Sequence, residues 1–551
     1  MHLKIKNLLK AIIFLIIGTF LFAIIQNVFM PKRVSSTKAY DAGKLAGFYN
    51  EEENSIDVLI CSTSHASKGI LPMELYETYG ITSYNLSTSI QPIEATYYTL
   101  AEALNTQKPK VFIYDVSSLY FSSVEAQYWW FILDEMRMGP NKAALLREYK
   151  RSANGGNESK GELIFPLVKY HERWKELKAD DFTVSMRSCR DYSKGGQINS
   201  AVEAAQISVE EMNLTADILI QSMEKSTYVY SGEKTGLEKE QQVLCNLEIP
   251  EKNIEWLEKI KALCDENNVQ LLAVKVPTVY MPQTYRSAWI EEKYRYMKTF
   301  CEAYGIAYYD LLYDTDIAFD WSRDTLDEGQ HVNLNGARKV SADLGAYLMD
   351  HYDLTASYNE QWDKDLSLYQ EVRKAATLEL GQDFVSYIHM LANEYRDKMI
   401  LISAADDMAA GLNGEEVDAL RSLGLQADFG DALNKQTYIA VIEGGEVKYE
   451  ASSDRQLSYG GTSEVSDTEY ELYGSGWLTG SDASIKLDRK EYAYNPEAFN
   501  IVVYDDERDL ILDSVSFGVY TGEGFKAERN NAKTNSFEEN LERYITETKN
   551  Q

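Results

Sequence analysis

Short apolar segments alternate with helical segments in this chain, and that alternation constrains its fold more than any other feature. The apolar segments have the length of buried strands: IDVLIC (56–61), KVFIYDV (110–116), VQLLAVKV (269–276) and IAYYDL (306–311). Helix-like segments such as PIEATYYTLAEALNTQ and NIEWLEKIKALCDENN stand between them. Apolar strands that alternate with helices are typical of a parallel sheet covered by helices. The sequence therefore predicts an α/β domain.

The domain plan follows from where this alternation starts, breaks and ends. We place the α/β domain at 55–352, with a mostly helical insertion, rich in Tyr and Trp, at about 117–250. A juxtamembrane stalk is expected at 31–54 and a polar linker at 353–378. A second, α+β domain is expected at 379–551, ending in the amphipathic helix SFEENLERYITET.

The N-terminus predicts a membrane anchor at 1–30. Three lysines in the first ten residues precede AIIFLIIGTFLFAIIQNVFM, an apolar stretch of about 20 residues that just spans a bilayer as a helix. No A-x-A cleavage site follows, so an uncleaved anchor is favoured over a removed signal peptide. We expect a single-pass protein of the cell membrane, with a cytoplasmic N-terminus and extracytoplasmic domains.

Charge and cysteine content exclude some classes of function. The net charge of −31 repels phosphate backbones, so nucleic acid is not expected as a partner. The five cysteines form no CxxC pair, and the chain therefore indicates neither a zinc site nor a disulfide-rich scaffold. We expect no metal and no cofactor.

Two segments carry the residue types of nucleophilic catalysis. The tetrad STSH (62–65) follows the first apolar strand directly, and open α/β sheets bind ligands at the carboxyl ends of their strands. About 270 residues later, DEGQH places Asp327 and Glu328 four and three residues before His331. A carboxylate can orient an imidazole that removes the proton of a serine. The sequence predicts Ser64 as nucleophile, His331 as base, and Glu328 or Asp327 as the orienting acid.

This order of residues resembles the SGNH/GDSL family of hydrolases and acyltransferases. That family opens with a strand and Gly-Asp-Ser or Gly-Ser-Ser, so the nucleophile position falls on Ser64, with Ser62 in place of the Gly. Its closing D-x-x-H block, followed by x-N and a Gly that opens a helix, is similar to Glu328–Gly336, which puts the acid of the family at Glu328. The resemblance covers about 55–352 and implies a three-layer parallel sheet.

The family also implies an oxyanion hole, usually built from a Gly and an Asn. The nearest counterparts here are Asn85 in YNLS and the loop DVSS that begins at Asp115. One oxyanion donor contributes about 3 kcal/mol to catalysis, so a weak or inactive enzyme is expected if this chain lacks it.

Within the family, the architecture resembles membrane-anchored accessory acyltransferases of bacterial envelopes, such as those of teichoic-acid D-alanylation and alginate O-acetylation. The resemblance implies two partners: a multi-span membrane-bound O-acyltransferase, and an envelope polysaccharide or teichoic-acid-like polymer that accepts the acyl group. The alternatives are a catalytically silent scaffold that docks the membrane acyltransferase, and an esterase that removes acyl groups.

The C-terminal domain resembles the interleukin-like EMT-inducer (ILEI, GG-type) domain. The resemblance lies in ILISAADDMAAGLNGEEVDALRSLG, followed by TYIAVIEGG, and in FNIVVYDDERDLILDSVSF. These blocks stand in reversed order, as in a circular permutation. The resemblance implies a carbohydrate-associated or interaction module, so we expect binding and no catalysis there.

Structural alternatives stand beside each candidate residue. Ser64 is also a favoured residue type for a helix N-cap. His65 is expected to shape the pocket, and His171 to be structural or a glycan contact. Asp406 and Asp407 follow a strand and are expected in a solvated turn, with cation binding as the alternative.

Overall fold

The structure is a computed structural model. It describes residues 2–30, 43–121, 123–152, 159–177, 181–182, 191–202, 249–278, 297–430, 433–521 and 524–529. The chain forms two compact units, Met1–Tyr369 and Gln370–Gln551.

The first unit contains a five-stranded, wholly parallel sheet, which confirms the predicted α/β class. Its strands are β1 (Val58–Ile60), β2 (Ser83–Asn85), β3 (Val111–Asp115), β4 (Gln270–Lys275) and β5 (Ala307–Asp310). Their order is β2-β1-β3-β4-β5, a doubly wound arrangement in which the chain reverses direction between β1 and β3. Ligand sites of such sheets lie outside the carboxyl ends of the strands at this reversal.

Helices connect the strands, and a short hairpin precedes the last helix of the sheet domain. The helices up to β3 are α1 (His2–Phe29), α2 (Lys44–Phe48), α3 (Ser64–Gly69), α4 (Pro72–Tyr79) and α5 (Ile93–Ala103). The insertion contributes α6 (Ala126–Leu133), α7 (Pro140–Arg151), α8 (Lys160–Ile164) and α9 (Pro166–Lys169), with a 3-10 turn at His171–Lys175. After it come α10 (Glu251–Glu266), the two-stranded hairpin β6 (Thr325–Leu326) and β7 (His331–Val332), and α11 (Leu334–His351).

The apolar N-terminal helix and the segment after it differ in burial. Within α1, Leu9–Phe29 is long and apolar enough to cross a membrane. The side chains of α2, in contrast, are all buried, and Tyr84 donates a hydrogen bond to the carbonyl of Lys44. Residues 43–54, which we expected in the stalk, therefore belong to the folded unit.

The predicted linker is largely helical. Helix α12 (Glu360–Leu380) occupies most of 353–378, and the boundary between the two units falls within it. Its polar composition reflects an amphipathic helix, with Trp362 and Tyr369 buried.

The second unit is an α+β structure with two antiparallel sheets. Two further helices are α13 (Phe384–Glu394) and α14 (Gly414–Ser422). The larger sheet contains β8 (Met399–Ala404), β9 (Thr437–Glu443), β10 (Glu446–Ser453), β15 (Phe499–Asp505), β16 (Leu510–Thr521) and β17 (Gly524–Glu528), in the order β10-β9-β8-β15-β16-β17. The smaller sheet contains β11 (Gln456–Thr462), β12 (Glu469–Ser475), β13 (Asp482–Leu487) and β14 (Lys490–Glu491).

The two sequence blocks that carry the ILEI resemblance meet in the larger sheet. Strand β15, from the late block, pairs directly with β8, from the early one, over Phe499–Tyr504. Both strands are uniformly buried, with apolar side chains on both faces. The predicted final helix at 536–548 lies outside the described residues.

Candidate active site

Ser64 lies at the reversal point of the parallel sheet. Strand β1 is fully buried, and only three residues separate its end from Ser64, the first residue of α3. The N-cap is Thr63, so the N-cap interpretation of Ser64 does not hold. The hydroxyl of Ser64 is therefore not used as the cap of this helix.

The loop that presents Ser64 is held by hydrogen bonds to both neighbouring strand ends. The hydroxyl of Ser62 donates to the carbonyl of Asp115 over 2.6 Å, and its backbone N–H donates to the hydroxyl of Ser87 over 2.9 Å. Ser62 is fully buried. Serine at the family's Gly position therefore locks the loop to the ends of β3 and β2.

The β6–β7 hairpin supplies the base and its acid. Asp327 follows β6 with a left-handed backbone (φ 46°), a conformation that Asp tolerates better than most residues. Its carboxylate accepts the backbone N–H of His331 over 3.0 Å and lies 2.7 Å from ring Nδ1. One carboxylate thus fixes both the turn and the orientation of the imidazole.

A continuous chain of hydrogen bonds joins the three side chains. The Nε2 atom of His331 lies 2.8 Å from Oγ of Ser64, on the opposite side of the ring from Asp327. With Nδ1 donating to the carboxylate, Nε2 is the acceptor that can take the serine proton. The sequence-predicted Ser64, His331 and Asp327 are therefore brought together in the order that a serine nucleophile requires.

The acid that the structure shows in contact with His331 is Asp327, four residues before it. The side chain of Glu328 lies outside what the structure describes. The two strands pair Leu326 with His331. Asp327 follows Leu326 directly, as the first residue of the 3-10 turn Asp327–Gly329, and its side chain reaches His331. The contact assigns the role of orienting acid to Asp327, and the preference for Glu328 that we took from the family register stays a prediction.

Asn333 and Gly336 hold this hairpin against α11. The amide of Asn333 donates to the carbonyls of Arg323 and Thr325, while its oxygen caps the N–H groups of Asn335 and Gly336. A side chain at Gly336 would lie 2.4 Å from the carbonyl oxygen of Asp324, so only glycine allows this approach. The x-N and Gly of the closing block are therefore supporting residues of the site.

Two further side chains of α3 surround the triad. The ring of His65 lies 4.9 Å from that of His331, with a tilt of 31°. Burial, followed by the charges of His331, Lys275 and Lys68, lowers the pKa of His65 well below its usual value, although the Gln330 backbone opposes the shift. Among the residues that the structure describes, none gives the buried Nε2 atom of His65 a hydrogen bond of normal geometry. Burial therefore disfavours the charged form of His65, and its ring packs against that of the base.

Lys68 lies one turn after Ser64 on α3, and its ammonium is 3.9 Å from Oδ2 of Asp327, the oxygen that also contacts the ring of His331. The Asp327 side chain is 37% exposed, so water also reaches this carboxylate. Lys68 and solvent together stabilise the negative charge that faces His331.

Asn85 does not supply an oxyanion donor. Both hydrogens of its amide are used on the carbonyls of Ala66 and Ile70, and its oxygen accepts the N–H of Ser87. The residue is fully buried and ties β2 to α3. The prediction of an oxyanion role for Asn85 is therefore corrected to a structural one.

Other groups near the strand ends remain available as oxyanion donors. The first N–H groups of a helix have no carbonyl partner within it, and in α3 these belong to Ser64 and the residues after it. In the loop after Asp115, the hydroxyl of Ser117 is buried, and the described residues offer it no hydrogen-bond partner. The DVSS segment therefore remains a candidate.

A buried lysine lies among carboxylates at the same end of the sheet. Lys275 ends β4 and pairs in register with Asp310 of β5. Burial lowers its pKa to about 8, while the charges of Asp115 and Asp310 act in the opposite direction. Asp115 also accepts the N–H groups of Ser117 and Val276. This cluster joins the ends of three strands beneath the site.

The remaining candidates lie elsewhere. His171 is exposed in the insertion, and its Nδ1 lies 2.9 Å from the carbonyl of Val168. In the second unit, Asp406 follows β8 with φ 37°, and one of its oxygens accepts the hydroxyl of Ser481. The side chain of Asp407 lies outside the described residues.

Sequence reasoning overlooked Lys68, Lys275 and the segment 191–199. A lysine inside the apolar run VQLLAVKV was a usable signal, because a charge in a buried strand needs partners. The segment 191–199 gave no such signal, because it has no regular secondary structure. It nevertheless supports the site, since the carbonyls of Lys194 and Asn199 accept the backbone N–H groups of Asn85 and Leu334.

Comparisons with known proteins leave the family open. Neither a scan against protein-family models nor a search of curated proteins found a match.

Proposed function

We propose that this protein is a membrane-anchored, extracytoplasmic SGNH-type acyltransferase that modifies hydroxyl groups of a cell-envelope polysaccharide or related polymer. The observation that carries the proposal is the hydrogen-bonded chain Ser64–His331–Asp327, with 2.8 Å and 2.7 Å between its members. Its position at the reversal of a doubly wound sheet adds support.

The chemistry follows from the roles of these three side chains. Ser64 Oγ attacks the acyl carbonyl while His331 Nε2 takes its proton. His331 then gives that proton to the leaving oxygen of the donor, and an acyl-serine remains. An acceptor hydroxyl next loses its proton to His331, attacks the acyl-serine and takes the acyl group, and the proton returns to Ser64. With water as acceptor, the same steps give an esterase.

The membrane part of the proposal rests on the N-terminal helix. A span at Leu9–Phe29 would hold the catalytic unit at the bilayer surface, close to a multi-span membrane-bound O-acyltransferase that delivers the acyl group. The second unit, in this proposal, is an ILEI-like module that binds glycan or partner and performs no chemistry.

A catalytically silent scaffold is the second candidate, and one observation favours it. The amide of Asn85, the side chain nearest in sequence to the family's oxyanion residues, is fully used by the fold. Removal of one oxyanion donor costs about 10²- to 10³-fold in turnover. A chain without a substitute would retain the fold and the docking role.

Labelling with a fluorophosphonate distinguishes these candidates, because this probe reacts only with an activated serine. We expect full-length protein in detergent or vesicles to be labelled at Ser64, as located by peptide mass spectrometry. Ser64→Ala should abolish labelling. Ser62→Ala should slow labelling, since Ser62 holds the loop, but should leave the label on Ser64. If the folded protein stays unlabelled, the acyltransferase function is refuted and the catalytically silent scaffold is retained.

The acyl acceptor is tested separately. Labelled protein that consumes a generic aryl ester equally fast with and without envelope polysaccharide acts as an esterase. Acyl transfer onto the polymer, detected by mass spectrometry of the polymer, supports the transferase.

A further inference from the structure

The insertion contacts the C-terminal part of the apolar helix α1. Phe165, between α8 and α9, packs edge-to-face on Phe22 with 5.5 Å between ring centroids. The backbone N–H of Leu167 donates to the side chain of Gln26 over 2.7 Å. The guanidinium of Arg173 donates to the carbonyl of Phe29 over 2.8 Å. Three contacts thus fix the segment 160–175 along the last two turns of α1.

These contacts set the depth of the segment in a bilayer that α1 crosses. The span Leu9–Phe29 has 21 residues, about 32 Å at 1.5 Å per residue, which matches a hydrocarbon core of about 30 Å. Phe22 lies seven residues before Phe29, or about 10 Å below the end of the span. Phe165 touches Phe22 and therefore lies at that depth. Interfacial helices insert by about 5–10 Å.

The side chains of the segment suit this position. Ile164, Phe165, Val168 and Trp174 are each more than a third exposed. A contiguous set of exposed apolar side chains marks an interaction surface, and next to a membrane-spanning helix the adjoining surface is lipid. Exposed Trp with an adjacent lysine is typical of the bilayer interface, and the ammonium of Lys175 lies 5.5 Å from the Trp174 ring centroid.

The polar groups of the segment satisfy the conditions of the interface. Leu167 lies in the first turn of α9, where backbone N–H groups lack helical partners. In lipid such a group is costly, and Gln26 satisfies it. Lys169 turns inward to Asp134. The sequence 160–175 holds four basic and two acidic residues, but Lys169 and Arg173 are paired with Asp134 and Asp181. We therefore assign the attraction to anionic headgroups to Lys175, beside Trp174.

We propose that residues 160–175 form a membrane platform, a segment that lies in the headgroup and upper acyl region of the bilayer crossed by α1. Its ligand is the lipid surface itself, with anionic headgroups next to Lys175. The platform rests on the proposed membrane insertion of α1 and is independent of the chemistry at Ser64.

Depth-dependent quenching of tryptophan tests the platform. Full-length protein is reconstituted in vesicles of phosphatidylcholine and phosphatidylglycerol, with or without brominated acyl chains. The wild type should show quenching equal to about one of its eight tryptophans, and Trp174→Phe should remove that component. The matched control is Trp477→Phe, which removes a side chain of similar exposure, 60% against 64%, from the second unit. It should leave the quenched component intact.

A second variant makes the test independent of Trp174. Val168→Trp in the Trp174→Phe protein should restore the quenching, because Val168 belongs to the same exposed group. Equal quenching in wild type and Trp174→Phe, with no gain from Val168→Trp, would overturn the platform and assign these side chains to a protein partner. Retention on vesicles after an alkaline wash reports on α1 alone, so failure of the anchor is recognised separately.

Discussion

Replacing Asp327 by Asn tests the geometry of the triad most directly. The substitution keeps an oxygen that can accept the backbone N–H of His331, now held at 3.0 Å. The other oxygen, 2.7 Å from ring Nδ1, is replaced by an NH2 group, which donates hydrogen bonds, and the negative charge is removed. The ring then favours the tautomer with hydrogen on Nε2, and this atom can no longer accept the proton of Ser64.

The magnitude follows from the exposure of the pair. A buried triad acid changed to its amide costs about 10⁴-fold in turnover. The side chain of Asp327 is 37% exposed and that of His331 is 14% exposed, so the effective dielectric lies between the protein interior and water. Two charges 4 Å apart interact by about 4 kcal/mol near a protein surface and about 1 kcal/mol in water. We therefore expect a loss of about 10²- to 10³-fold, about 3–4 kcal/mol.

The assay is the second-order rate of fluorophosphonate labelling, which requires no knowledge of the substrate. Glu328→Gln is the matched control, since it removes one negative charge from the neighbouring residue. We expect Asp327→Asn to slow labelling by about 10²- to 10³-fold and Glu328→Gln to slow it less, because Asp327 makes the contact with ring Nδ1 of His331. A larger loss in Glu328→Gln than in Asp327→Asn would refute the assignment of the acid.

The remaining predictions concern the triad, its support and the independence of the second unit. Ser64→Ala and His331→Ala should each abolish labelling, with a thermal midpoint close to that of the wild type. Asn333→Ala should lower the free energy of unfolding by about 2 kcal/mol, since a helix cap and two buried hydrogen bonds are lost; an unchanged urea midpoint would contradict this. The pKa of Lys275 is about 8 in the folded protein and about 10.4 in the unfolded chain. The unfolded chain therefore holds more protons between these values, and the free energy of unfolding should rise between pH 8 and 10 by at most about 3 kcal/mol. Urea titrations of Lys275→Met should not show this rise. Residues 356–551, which include all of α12, should melt cooperatively when expressed alone, and a disordered product would contradict that.

Much of the first unit could be predicted because its strands are buried on both faces. Such strands read as short apolar runs, and β1, β3, β4 and β5 all lie within the predicted segments. Strands β10, β11 and β12 were overlooked, since much of their length is exposed and polar. A half-exposed strand with Gly, Ser and Glu on its outer face resembles a loop in sequence.

The segment taken as a stalk shows a second limit of the sequence. Lys44 lies within this segment, and its ammonium donates to the hydroxyl of Ser67 on α3 and to the carbonyl of Ser87. Both partners lie far from it in the chain. A lysine can be buried only where acceptors surround its ammonium, and the residues next to it in the sequence do not show which distant acceptors the fold brings close.

The identity of the acid shows why a motif gives the elements of a site and not its register. Asp327 and Glu328 are adjacent, chemically equivalent and equally able to follow a strand, so spacing alone left both open. The decision rests on the turn between β6 and β7, in which Asp327 takes φ 46° and Gly329 takes φ 88°. Two left-handed residues close the hairpin so tightly that Asp327, directly after the residue paired with His331, reaches that histidine with its carboxylate. Of the two acids, Asp adopts this backbone region more readily than Glu, and its shorter side chain reaches both the backbone N–H and the ring Nδ1 of His331. The residue that forms the turn therefore also orients the base.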